Sequence, residues 1–193
     1  RFGATAVWAG DRWILWGGTG LFGELNSGAM LVFSVGVPTL WTALPSTDAP
    51  SARSGHSIAW TGSQMLTWGG QRAGAALGDG AAYSPEANAW TALAPTDAPA
   101  PRFDHAAAWT GSEWLIVAGA DATADLASSA AYDPATQSWR VLSSAGNPRA
   151  RRQAAAVWTG TELMVFGGLS GVQRVAALQR LVPQPTWYLY RKL

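Results

Sequence analysis

The sequence predicts an all-β protein of tandem four-stranded units, four of about 49 residues each. Two columns of tryptophan and a recurring glycine pair predict it. Trp8, Trp60, Trp109 and Trp158 are spaced by 52, 49 and 49 residues. Trp41, Trp90, Trp139 and Trp187 are spaced by 49, 49 and 48. These eight account for two-thirds of the 12 tryptophans, so the chain supplies its own alignment. Seven residues before the first column stand Arg1, Arg53, Arg102 and Arg151. Gly17-Gly18, Gly69-Gly70, Ala118-Gly119 and Gly167-Gly168 follow it by nine and ten.

The second unit shows how each element arises. "HSIAW" reads as strand a, "TGSQ" as a tight turn and "MLTW" as strand b, stopped by Gly69-Gly70. A polar, glycine-rich loop follows to about Gly80. "AAY" is strand c, "SPEAN" a turn with φ preset at Pro85, and "AWTAL" strand d. The third unit repeats the order with "HAAAW", "WLIV", "AAYDPATQSW" and "RVL". No useful length shows helical periodicity with caps. Short strands broken by Gly and Pro, in units of this length, predict a β-propeller with one unit per blade. A lone blade cannot cover both faces of its sheet, so the tryptophans are expected to fill the spaces between blades. The expected blades are about 1–50, 51–99, 100–148 and 149–193 of a single 1–193 propeller.

Composition narrows the function. Apolar residues make up 48% and charged residues 13%, which suits a packed core rather than a disordered chain. Net charge is +1, so no global basic field points to nucleic acid. Residues 1–148 carry 6 Arg against 11 Asp/Glu, while 149–193 carry 6 Arg and 1 Lys against 1 Glu. There is no cysteine, which excludes disulfides, thiolate nucleophiles and Cys-ligated metal sites from these residues. No apolar run reaches the ~20 residues of a membrane-spanning helix. The chain opens on Arg1 inside the pattern, which suggests a processed chain, an excised domain or a partial sequence.

A glycine pair after strand b, a Tyr after strand c and a Trp seven residues beyond resemble the kelch repeat. The residues are Gly69-Gly70, Tyr83 and Trp90, and then Gly119, Tyr132 and Trp139. In unit 1 they are Gly17-Gly18, Phe33 and Trp41, with one extra residue in the c–d turn. The "R-x-G-H" and "Y-D-P-A-T-x-x-W" stretches are similar to the bacterial branch of kelch propellers. Unit 4 keeps Arg151, Trp158 and Gly167-Gly168, but the spacing puts Arg180 where Tyr is expected, and the pattern fades after about residue 175. A divergent capping blade and a loss of pattern through truncation or a reading-frame change both fit. The resemblance implies a ring of six or seven blades, so four are expected to form part of a larger ring; a closed four-bladed ring is the second reading. It also favours a secreted or periplasmic protein.

The a–b and c–d turns fall on one face, and the longer b–c loops and d–a connections on the other. Variable loops on a rigid scaffold are where binding residues gather. The candidate ligand-binding residues on that face are Arg53, His56, Gln71, Arg72, Arg102, His105, Asp121, Arg151 and Arg152. As a rim of donors they could take a carboxylate, sugar or acidic peptide. The competing reading is structural, with arginines bonded to neighbouring-blade carbonyls and histidines satisfying a buried turn. The run Arg149–Arg152 could meet an anion. Asp79, Asp121 and Asp125 could meet a cation, yet two histidines 49 residues apart match no metal-ligand spacing. No G-x-S-x-G elbow occurs.

The expected function is a non-catalytic scaffold that presents its b–c and d–a loops to a protein or glycan, with no cofactor and no catalytic residue. The alternative drawn from the resemblance is a carbohydrate-active enzyme. Kelch-type propellers include copper-dependent relatives of galactose oxidase and a sialic acid mutarotase. The copper chemistry needs a Tyr cross-linked to Cys, which these residues lack; a mutarotase needs only a few polar groups.

Overall fold

A computed structural model describes residues 1–34, 36–142 and 148–183. It contains antiparallel sheets and no helix in these residues. Blade 1 runs through strands a Thr5–Trp8, b Arg12–Trp16, c Gly28–Ser34 and d Val37–Ala43. Blade 2 runs through Ser57–Trp60, Met65–Trp68, Gly80–Ser84 and Ala89–Ala92. Blade 3 runs through Ala106–Trp109, Trp114–Val117, Ser129–Asp133 and Ser138–Val141. Blade 4 has Ala155–Trp158, Leu163–Phe166 and Leu178–Leu181. The fourth strand expected from the sequence around Trp187 falls outside the described residues. Within each blade neighbours in sequence are neighbours in the sheet, and consecutive blades meet through their a strands, which places strand a innermost.

The register corrects two sequence equivalences. Tyr83 pairs with Met65 on one side and Trp90 on the other. In blade 1 the residue in that place is Leu31, between Trp13 and Trp41, because the ladder shifts between Leu31 and Phe33. Phe33 instead packs edge-on against Trp8 at 5.5 Å. In blade 4 the place belongs to Leu181, paired with Leu163 and 2% exposed; Arg180 points the other way, toward Glu162 at 3.7 Å. The blade pattern therefore continues structurally through strand c, past the point where the sequence pattern fades.

Three apolar clusters lie between consecutive blades. Ile14, Trp16 and Leu44 of blade 1 meet Met65, Tyr83 and Trp90 of blade 2. Leu66, Trp68 and Ala82 of blade 2 meet Trp114, Tyr132 and Trp139 of blade 3. Leu115, Val117 and Leu142 of blade 3 meet Leu163, Val165 and Leu181 of blade 4. Strand b shows the consequence: Met65–Trp68 and Trp114–Val117 are buried at every residue, because both faces are covered. In blades 1 and 4 burial alternates along strand b, because one face is covered and the other is open. The outward face of blade 1 leaves Trp8, Trp13 and Trp41 at 41–50% exposed, and Phe166 of blade 4 is 55% exposed.

A tryptophan buries about 150–250 Å². At about 25 cal/mol per Å² that is on the order of 4–6 kcal/mol before conformational entropy is subtracted. Trp68→Ala is therefore expected to cost about 3–5 kcal/mol of unfolding free energy in urea denaturation, and Trp13→Ala, on the open face, less than about 1.5 kcal/mol.

Candidate functional site

The b–c/d–a face is built from the repeated arginine outward. Arg53 and Arg102 are fully buried, and each guanidinium is spent on its own blade. Arg102 Nη1 donates to the carbonyls of Ala118 and Ser128, both at 2.8 Å; Nη2 donates to Ser128 Oγ at 2.8 Å and Nε to the Ala100 carbonyl at 3.0 Å. Arg53 makes the same set with Gly69 O, Asp79 O, Asp79 Oδ2 and Ser51 O. Arg151 reaches Gly167 O and Ala177 O; Ala177 has no side-chain oxygen, and Gln179 Oε1 takes its place. Arg1 reaches Gly17 O and Ser27 O. These carbonyls flank the gap between strands b and c, where the ladder opens into the loop. The backbone of the same arginine joins the preceding blade: the amides of Gly18, Gly70 and Gly119 donate to the carbonyls of Arg53, Arg102 and Arg151 at 2.7–2.8 Å. The side-chain partners are thus own-blade carbonyls, not those of the neighbouring blade. Burial lowers the Arg102 pKa to about 10, which leaves it charged at neutral pH, and draws that of Arg151 down too.

His56 and His105 sit between blades. His56 Nε2 is 2.6 Å from Thr5 Oγ1, and His105 Nε2 is 2.6 Å from Ser57 Oγ. Their rings pack edge-on against Trp16 and Trp68, at 5.2 and 5.5 Å between centroids. Burial, then the nearby Arg53 or Arg102 charge, pushes each imidazole down to about 3.

The remaining candidates lie in the loops. Asp121 accepts from Thr123 N, Thr123 Oγ1 and Ala124 N at 2.7–2.8 Å, which closes its own loop and lowers its pKa. Arg152 donates to Asp125 Oδ1 at 2.6 Å and to the Gly171 carbonyl at 3.1 Å. Asp125 Oδ2 accepts the Gly171 amide at 2.5 Å, so this carboxylate joins the loops of blades 3 and 4. Asp121, Asp125, Arg152 and Gly171 line a shallow depression of about 240 Å³, smaller than typical small-molecule sites. Asp79 is taken by Arg53. Among the described residues no three His, Asp or Glu side chains come together as a metal site. Gln71 pairs in the ladder with Ala76 and bridges to Ser54. Arg72 is exposed and, among the described residues, makes no side-chain hydrogen bond.

Sequence reading missed what the loops hold up. Three b–c loops fold into two-residue hairpins: Thr19–Gly20 with Gly23–Glu24, Gln71–Arg72 with Ala75–Ala76, and Leu169–Ser170 with Gln173–Arg174. The second turns through Ala73 and Gly74, both at positive φ, the signature of a type I′ hairpin turn. The tips carry Leu21 at 89%, Phe22 at 98% and Val172 at 95% exposed, with Phe2 at 71% beside the first. The available signal was the adjacent apolar pair Leu21-Phe22 set between Gly20 and Gly23.

Rigid stacked blades with a crown of loop hairpins define a propeller-type scaffold. The chain belongs to the kelch-repeat family: the KLHDC2/KLHL20/DRC7 kelch-repeats domain matches residues 1–168. Kelch domains are typically protein-interaction scaffolds. A comparison with curated proteins gives no match.

The histidines generate a pH prediction. In the unfolded chain they take up protons near pH 6.5, but in the folded chain only near 3. The unfolded state therefore binds more protons between these values, and stability is full above 6.5 and lost as pH falls toward 3. Urea unfolding between pH 6.5 and 5 is expected to show a slope of up to ~1.4 kcal/mol per pH unit for each histidine. The double variant His56→Ala/His105→Ala is expected to flatten it.

Proposed function

We propose that this chain is a non-catalytic interaction module that presents its b–c hairpins to a protein partner, and that further kelch-type blades on the two open faces complete its ring. The crown of exposed Leu21, Phe22 and Val172 on rigid hairpins carries the reading. Exposed aromatic and aliphatic tips beside Arg72 and Arg174 suit a peptide segment with apolar and carboxylate side chains. The buried arginines support the same reading, since their guanidinium donors serve the blades, and so does the burial of both imidazoles between blades, with Nε2 bonded to Thr5 or Ser57 and Nδ1 away from the loop surface without a partner.

Panning a displayed peptide library on the chain tests it. Enriched peptides are expected to bind Leu21→Ser/Phe22→Ser at least tenfold more weakly, with the unfolding midpoint unchanged. Binding that survives this double change, or that responds only to changes in the a–b turns at Gly62 or Gly111, would count against the loop crown.

A further inference from the structure

The three interfaces between blades fall into two kinds, set by four residues. At the first, strand b of blade 1 ends in Trp16-Gly17, Thr5 offers a hydroxyl, and blade 2 inserts His56. At the second, Trp68-Gly69 and Ser57 receive His105. At the third all four change together: Val117 and Ala118 pack with Ala154, and Ala106 stands in the place of Thr5 and Ser57. Space explains the covariation. A Cβ on Gly17 would stand 2.5 Å from His56 Cε1 and 3.1 Å from Arg53 O, and one on Gly69 2.8 Å from both His105 Cε1 and Arg102 O, so the imidazole adds a clash to the crowding by the arginine carbonyl and disfavours alanine there. Without the imidazole, Ala118 fits even at φ +58° and the hydroxyl has no role.

Blade 1 has Ala4 at the histidine position. Its open face repeats that of blade 3: Trp8, Trp13, Leu31 and Trp41 stand where Trp109, Trp114, Tyr132 and Trp139 are covered by blade 2. In the covered copies the last tryptophan donates to the preceding blade: Trp90 Nε1 to Pro45 O at 3.0 Å and Trp139 Nε1 to Ala94 O at 3.1 Å. We infer that the outward face of blade 1 docks a kelch-type blade of the aliphatic kind, with a Val-like residue and a permitted alanine at the end of strand b, whose main-chain carbonyl past strand d accepts from Trp41 Nε1. This rests on the reading that further blades complete the ring. An incoming Trp-Gly front would leave a void at Ala4 the size of the missing imidazole.

The chain's own blades supply the probes. Residues 100–148, whose front face is aliphatic, or 51–99, whose front face is Trp-Gly, are fused ahead of Arg1 of the full chain. The 100–148 fusion is expected to shield Trp8, Trp13 and Trp41 from acrylamide, shift emission to the blue and raise the unfolding midpoint. The 51–99 fusion is expected to do so less, and the order is expected to reverse with Ala4→His, which gives the Ser57 and Gly69 of the fused blade their imidazole. Equal shielding by both with no reversal overturns the assignment of kind while leaving ring completion standing; shielding by neither overturns docking itself. Should a fusion fail to fold, the rule is read in the chain alone: Ala154→His is expected to lower the unfolding midpoint, and adding Ala118→Gly and Ala106→Ser to restore it. No loss with Ala154→His overturns the rule. Dimers of the unfused chain in sedimentation, with the three tryptophans shielded, would show a second copy on this face and overturn the proposal.

Discussion

The arginine at the head of each blade, buried in blades 2, 3 and 4, is the constraint on which the rest depends. Where strands b and c part to make the loop, the carbonyl ending strand b has no main-chain donor among the described residues, while the carbonyl preceding strand c accepts one amide, from Gly17, Gly69 or Ala118, and has a second lone pair open. One planar guanidinium reaches both and still has donors for a side-chain oxygen and for the carbonyl two residues before it. A lysine could not span this set, since it offers a point charge and no fork. The backbone of the same residue accepts from the second glycine of the preceding blade. A single residue thus closes the mouth of its own blade and ties it to the one before. Burying the charge is costly, and the hydrogen bonds it makes to main-chain and side-chain acceptors offset that cost.

From that tie the packing and the loop face follow. The arginine fixes where strand a enters, so the first tryptophan column and the residue at the histidine position meet the preceding blade in a set register. The b–c loop leaves from the same point, which holds the small hairpins upright and lets their apolar tips stand in solvent. Rigid blades and exposed tips then divide the work: polar groups inside are consumed by structure, and recognition falls to the loops. The open outer faces of blades 1 and 4 belong to the same logic, since each repeats a face that the chain covers elsewhere.

Much of the architecture was legible because stacked blades impose a period on the sequence. Tryptophan, glycine and arginine columns could be counted, and the strand order followed from Gly and Pro. Other features had no such signal. A donor rim and an internal staple both call for a repeated arginine, and only the direction of the side chain separates them. The ladder shift after Leu31 hid the true partner of Tyr83, because sequence spacing counts residues and a bulge changes the count. Leu181 went unseen for a similar reason: the strand keeps its apolar residue without keeping the tyrosine. The loop tips escaped notice because nothing repeats there, and repetition was the main source of signal.

The central claim is that the arginine stabilises by satisfying main-chain acceptors, beyond filling space. Arg102→Met keeps much of the volume and removes every donor, and equilibrium urea unfolding of this variant is the direct measurement. The account predicts a loss of about 3–5 kcal/mol, with faster hydrogen exchange at the Gly70 and Gly119 amides on either side of blade 3. A variant as stable as the native chain to within about 1 kcal/mol, with those amides equally protected, would contradict it.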